Sequence, residues 1–318
     1  VPRIVTIPVD TVDLNAEPLT MTISHQRPFL ALVLVATAAA VAAVGGRQQP
    51  TGEPFSTAIR LVKPGLWVIP GYDGQVTGGN TAVRGTPDGV LIVDTRFGEA
   101  AREIVPKVKS VISQPIKYVL STHSHNDHTG GNPLFAGTAE LIAHRNVREN
   151  MIRGKQAAPP HVVFNDEASV FLGNVEVQLK YLGRGHTNGD AVIYFPDLKV
   201  VHTGDLVVWG KRTDGSILTP FADTDNGGSL FEWLPTLDRL LQIDFDTAIP
   251  GHGPVLTKND VRAFRDKIAT LRQRVTDLVQ TRVPKKEFGA KLKTDDLSWP
   301  FPQARLDAMY DEIAARSR

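Results

Sequence analysis

Four side chains able to bind a metal ion are packed into six residues of this chain, His123-Ser-His125-Asn-Asp127-His128. Only 9 of the 318 residues are histidine, so composition alone does not produce such a cluster. Three further candidates follow at turns or strand ends: His186 in Gly185-His186-Thr187, Asp205 in Thr203-Gly204-Asp205, and His252 in Pro250-Gly251-His252-Gly253. Neutral imidazole and carboxylate are preferred donors for zinc. Two cations about 3.5–4 Å apart also need a bridging anion, which a carboxylate such as Asp205 can supply. With no cysteine in the chain, thiolate ligation and disulfides are both excluded.

The spacing has a structural logic. The run from Ile116 to Ser121 is apolar and β-branched enough to be a buried strand. Residues two apart on an extended chain point the same way, so His123 and His125 can address one point. Asn126-Asp127 suits a turn, after which Asp127 and His128 diverge toward a second point. Each candidate ligand follows a strand-like run or a glycine-flanked turn, the usual place for functional side chains on a rigid scaffold. His25, His144 and His161 lack such a setting and read as ordinary surface or core histidines. His202 is a closer case, because it lies out of phase with its apolar neighbours in 200–205; a role behind the ligands competes there with simple packing.

The elements that must position these groups alternate between strand and helix. Strands are expected at 66–69, 81–84, 90–93, 116–120, 141–143, 175–182, 191–195, 199–202 and 247–249. Helices are expected over 99–112, interrupted or shifted at Pro106, and over 230–241, 260–282 and 303–315. The ligands thus arise from several separate strand ends, which suits a site at one edge of stacked sheets. No internal repeat is present. Tyr72, Trp209 and Phe221, on segments flanking the motifs, are candidate apolar walls for a substrate.

Taken together, His-x-His-x-Asp-His, Gly-His-Thr, Thr-Gly-Asp and Pro-Gly-His-Gly resemble the metallo-β-lactamase superfamily, in the dinuclear pattern of glyoxalase II and the N-acyl homoserine lactonases. The resemblance covers 58–282. It implies an α/β four-layer αββα sandwich, the metallo-β-lactamase fold, with a short C-terminal helical extension at 283–318. It also implies two Zn2+ per chain, with Fe or Mn as alternatives. One ion takes His123, His125 and His186, the other takes Asp127, His128 and His252, and Asp205 bridges them. Asp127 is the implied catalytic residue, orienting a hydroxide that attacks an ester, lactone, thioester or amide carbonyl. The same superfamily implies two rivals: a sulfur dioxygenase with one iron on His123, His186 and Asp205, and a nuclease. Val208 stands where one β-lactamase subgroup carries a lysine for the substrate carboxylate, and Lys211 and Arg212 are the nearest cationic substitutes.

Composition and the two ends bound the rest. A net charge of +1 and the absence of a Lys/Arg run argue against nucleic acid, which leaves a small-molecule substrate as the expected partner; oligomeric state has no signature. A basic lead at 21–27 followed by an alanine-rich apolar run at 29–44 reads as a signal peptide or N-terminal anchor within 21–46. Residues 1–20 read as an upstream segment and 47–57 as a linker. A periplasmic or secreted protein, without stable membrane association after cleavage, is the resulting expectation.

Overall fold

A computed structural model describes residues 56–72 and 76–316. The expected upstream segment, the signal-like stretch and nearly all of the linker therefore lie outside the described residues. Among those described, no helix is long and apolar enough to cross a membrane.

The strands form two sheets, each laid down in chain order. The first contains β1 (Arg60–Lys63), β2 (Leu66–Ile69), β3 (Thr81–Thr86), β4 (Gly89–Val93), β5 (Ile116–Ser121), β6 (Glu140–His144) and β7 (Val162–Phe164). Its first four strands pair antiparallel, whereas β4 to β7 run parallel. Parallel neighbours require crossovers. These carry α1 (Gly98–Arg102), α2 (Ile104–Lys109), the one-turn α3 (Asn126–Thr129) and α4 (Arg145–Arg153). The second sheet contains β8 (Glu167–Leu172), β9 (Val175–Tyr181), β10 (Ala191–Phe195), β11 (Val200–Val208), β12 (Thr247–His252) and β13 (Leu256–Thr257). Only β11 and β12 are parallel there, joined through a long loop and α5 (Leu230–Gln242). Then come α6 (Lys258–Gln280), α7 (Lys285–Lys291) and α8 (Gln303–Arg316).

Three apolar layers hold this stack. Leu91, Val93 and Leu120 from the first sheet meet Leu179, Ile193 and Ile249 from the second. Ile92 and Val119, on the outer face of the first sheet, pack on Ile104 and Val108 of α2. Val201, Leu206 and Ala248 pack outward on Trp233 of α5 and Phe264 of α6, and the same cluster takes in Phe288, Trp299, Met309 and Ile313 from the tail. The order is helix, sheet, sheet, helix, the four-layer α/β sandwich anticipated above. Because β5, β11 and β12 are buried throughout or at their ends, side chains projecting just beyond them start from fixed positions. That is what a metal centre needs.

Some expectations shift. The helix expected over 99–112 breaks at Glu103, three residues before Pro106. Its ring would clash with the carbonyl of Arg102, whereas in the first turn of a new helix it costs little. Strand β11 runs on to Val208 rather than ending at 202. The short edge strands β1, β7 and β13, together with β8 and α4, were not expected. In β8 every second residue faces solvent, Phe171 among them, and α4 buries only Val147, Asn150 and Met151; neither leaves a clean apolar period.

Candidate metal centre

The site forms where both sheets end. His123 and His125 follow β5, and Asp127 and His128 lie on α3. His186 precedes β10, Asp205 is within β11, and His252 is the last residue of β12. The structure brings all seven together, in three overlapping groups: His123, His125 and His186; His123, His128 and Asp205; and Asp127, His128 and His252. His186 Nε2 lies 2.9 Å from His125 Nδ1, and His128 Nε2 lies 3.2 Å from His252 Nε2. Asp205 reaches both sides: one oxygen is 3.6 Å from His186 Nε2 and 3.5 Å from His252 Nε2, the other 3.3 Å from His128 Nε2. Asp127 Oδ2 is 3.1 Å from His252 Nε2.

What lies behind the rings decides which atoms face inward. His186 Nδ1 donates to the Phe221 carbonyl at 2.8 Å, and His125 Nε2 donates to Asp223 at 2.7 Å. His128 Nδ1 donates to Asp94 at 2.8 Å. His123 Nδ1 meets Thr122 Oγ1 at 3.1 Å, and that hydroxyl donates to the same Asp94 oxygen at 2.7 Å. With their protons drawn outward, the inner nitrogens present lone pairs to one another. His123 Nε2 is buried with no hydrogen-bond partner among the described residues. Converging lone pairs are unfavourable unless a cation lies among them, and an acceptor behind each imidazole is how metal-binding histidines are oriented. The residues present therefore fit divalent metal ions.

Electrostatics agree. Burial pushes His123 well below the usual imidazole range, and His186 down to about 4, with charge on neighbouring histidines adding to both effects. Burial opposes charge on His128 too, but the carboxylates of Asp127, Asp205 and Asp94 overcome it and raise that ring well above its usual value. Against the cost of burial, His128 and His252 hold Asp127 down to about 2. Asp205 is likewise held well below the carboxylate range by His252 and His128. The centre is a concentration of buried negative charge facing imidazoles, of which burial holds His123 and His186 neutral while the carboxylates favour positive charge at His128, the place a cation would take. Asp127 and His125 keep 19% and 21% of their side-chain surface exposed while His128 keeps none, so the former two border the open cleft.

Close backbone approach completes the packing. A Cβ at Gly251 would collide with the Asp205 carboxylate, and one at Gly79 with the His128 ring. Asn80 ties these segments together: its side chain accepts from Gly71 N at 2.6 Å and donates to the carbonyls of Pro250 (2.7 Å) and Gly253 (3.0 Å).

Residues 75–252 match the model of the metallo-beta-lactamase superfamily, more than half of the chain. The chain belongs to the metallo-β-lactamase superfamily. It is 29% identical over 181 residues to the 2,4-dinitroanisole O-demethylase subunit alpha of Nocardioides sp. (strain JS1661), a match covering 55% of this chain and 52% of that protein. The chain thus spans about half the length of that relative. It is 24% identical over 220 residues to the metallo-beta-lactamase type 2 of Bacillus cereus, covering 64% of this chain and 79% of that one. In three dimensions it is similar to a metallo-beta-lactamase from Pontibacter korlensis, with TM-score 0.58, 20% identity, and 66% and 98% of the two chains covered. It is also similar to DIM-1 metallo-beta-lactamase, with TM-score 0.56, 19% identity, and 67% and 96% covered.

The chain carries a cleft of about 640 Å³ that reaches His125, Asp127, His186, Asp205 and His252 and is lined by Val76, Val208, Leu218, Pro220 and Phe221 beside the polar Arg212 and Thr219. Of the three expected apolar walls only Phe221 lines it. Tyr72 is buried, 6% exposed. Trp209 packs toward α6, where Lys267 Nζ lies 5.5 Å from its ring. Tyr72 is enclosed by the body and Trp209 is partly buried against it, and neither lines the cleft. The Arg212 guanidinium borders the cleft but donates to Ile217 O at 2.8 Å within its own loop. His202 sits behind the ligands only indirectly: it is fully buried, 3.2 Å from the Asn80 carbonyl, and accepts from Gly204 N. His144 is a buried ring stacked on Tyr181 at 4.1 Å. Asp94, Asp223 and Asn80 escaped the sequence reading, since each is a lone polar residue far along the chain from the ligand it supports. A polar residue directly after a continuous apolar strand, as Asp94 follows 89–93, was the one available signal.

Proposed function

We propose that this chain is a metal-dependent hydrolase holding two divalent cations, zinc by its donor set, and that it opens an ester, lactone, thioester or amide carbonyl bond in a small molecule. The observation that carries this reading is that Asp205 lies against both histidine groups at the floor of an open cleft. When bound, such cations supply Lewis acidity and lower the pKa of a water from 15.7 to about 7. His123, His125 and His186 would hold one, Asp127, His128 and His252 the other. The chain's own contribution is placement. Asp127, ionised at neutral pH and partly exposed, accepts a hydrogen bond from the attacking water and so orients it. Its low affinity for protons suits orientation better than storage of a proton. Asp94, Thr122, Asp223 and the Phe221 carbonyl keep the imidazoles of His123, His125, His128 and His186 in one tautomer throughout. Val208, Leu218, Pro220 and Phe221 give the cleft apolar walls against which a substrate can rest.

A single-iron oxygenase would need only His123, His186 and Asp205, leaving the convergence of Asp127, His128 and His252 without a purpose. Ring opening of a lactam or lactone is the favoured chemistry, and the β-lactamase relatives support the amide arm. An exported protein, read from residues 21–46, belongs to the same proposal. The test is a panel of β-lactams, lactones, thioesters, phosphodiesters and aryl methyl ethers, assayed before and after chelation. Turnover of a carbonyl substrate that chelation abolishes and zinc restores is expected. Hydrolysis indifferent to chelator, or oxygen uptake with one iron per chain, would overturn the proposal.

A further inference from the structure

The superfamily match ends at residue 252, yet the C-terminal helix α8 reaches the back of the metal centre. The link is one short segment, 221–229. Its first residue supplies the carbonyl that takes the His186 Nδ1 proton, and Asp223 takes the His125 proton. Asp223 N also donates to the His186 carbonyl at 2.8 Å, and Ser229 N to the Gly185 carbonyl at 2.8 Å. Two of the three outer partners of the three-histidine group, those of His125 and His186, therefore depend on where this segment sits.

Helix α8 fixes it at both ends. The Arg305 guanidinium lies 3.6 Å from the centre of the Phe221 ring. That ring stands 4.8 Å from His186, edge to face, and 6.2 Å from His125, nearly parallel. About two turns further along α8, Glu312 accepts from Ser229 Oγ, from Leu230 N at 2.9 Å and from Phe231 N at 3.4 Å. A carboxylate on those free N–H groups at the start of α5 is a favourable arrangement. Phe221 has the active cleft on one side and a small pocket under Arg305, Ala308 and Met309 on the other.

We propose that α8 is a positioning element for the His123, His125 and His186 cation site. Arg305 presses Phe221 against the two imidazoles, and Glu312 anchors the far end of the segment that orients them. The tail thereby sets how tightly that site holds its metal, although no tail residue reaches the metal. This rests on the metal-hydrolase reading above.

The experiment is a Co2+ titration followed by visible absorption, in full-length protein carrying His252→Ala so that the three-histidine group is observed alone. Arg305→Met keeps the apolar stem and removes the cation, Arg305→Lys keeps a cation, and Glu312→Gln loosens the anchor. Arg305→Met and Glu312→Gln should each weaken cobalt binding about three- to tenfold and alter the absorption band, while Arg305→Lys recovers most of the affinity. Thermal unfolding is recorded on the same samples. If Arg305→Met and Glu312→Gln lower only the melting temperature, with affinity and spectrum unchanged, α8 is mere packing and the proposal fails. If the parent with an intact tail binds no cobalt at all, the metal reading itself fails, and this inference with it.

Discussion

The two walls of the cleft are built on different principles. One wall is sheet-anchored: His123, His125, Asp127 and His128 leave the end of a buried strand and enter a one-turn helix, and Asp94 at the end of the adjacent strand grips the Thr122 amide and hydroxyl and the His128 ring at once. The other wall is the 209–229 loop. Gly210, Gly215 and Gly227 adopt positive φ there, and the loop closes on itself through the Lys211–Ile217 bridge and Arg212. The first wall holds its atoms by strand pairing and buried hydrogen bonds; the second presents apolar surface and can change without unravelling a sheet. The difference teaches where each property resides. Chemistry belongs to the sheet side and to the 221–229 segment that holds His125 and His186 from behind, and choice of substrate to the 209–220 part of the loop.

The largest effect should come from the sheet side. Asp127→Ala should cut kcat by about 10²- to 10⁴-fold, measured with whichever substrate the panel yields, while the melting temperature stays near wild type. Comparable turnover in the variant would remove Asp127 from the chemistry. Asp94→Asn comes next. An amide cannot accept from the Thr122 amide, the Thr122 hydroxyl and the His128 ring together, so zinc affinity should fall about 10- to 100-fold by competition with a chromophoric chelator. An unchanged affinity would mean that the sheet side is not held from behind. On the loop side, Leu218→Ala should raise KM about threefold or more and leave kcat and zinc content alone. A drop in kcat with normal KM would erase the distinction between the walls.

A smaller effect is electrostatic. Burial raises Asp190 to about 7, against the hydrogen bonds it receives from Thr187. A folded carboxyl above its unfolded value of 3.8 makes the unfolded state the better acid. This group therefore costs stability progressively as pH rises from about 4 to 7. In metal-free protein, Asp190→Asn should flatten the fall in unfolding free energy over that window, read from urea titrations at several pH values. Parallel curves for the two proteins would refute the assignment.

Much of this was legible in the chain because the signals are local. Six residues carry four ligands, and His186, Asp205 and His252 each sit in a short turn-like or strand-end motif. The strands that deliver them are apolar runs with clear limits, so the sandwich follows from them. The support behind the ligands was not legible. Asp94 is 34 residues from the ring it holds and Asp223 98 residues from His125, and a single carboxylate at such a distance leaves no periodicity to detect. Tyr72 and Trp209 misled for a related reason: an aromatic residue near a motif carries no sign of which way its ring turns, and burial against the body decided it. The role of α8 lies in the same category, since an Arg–aromatic contact across 84 residues is a property of packing.

The most direct measurement of the central claim is a zinc titration of wild-type protein beside His186→Ala and His252→Ala, with bound metal counted after removal of the free ion. About two equivalents should be retained by wild type and about one by each variant, because each substitution removes a ligand from a different cation. Wild-type protein that retains no zinc, or variants that retain as much as wild type, would contradict the account.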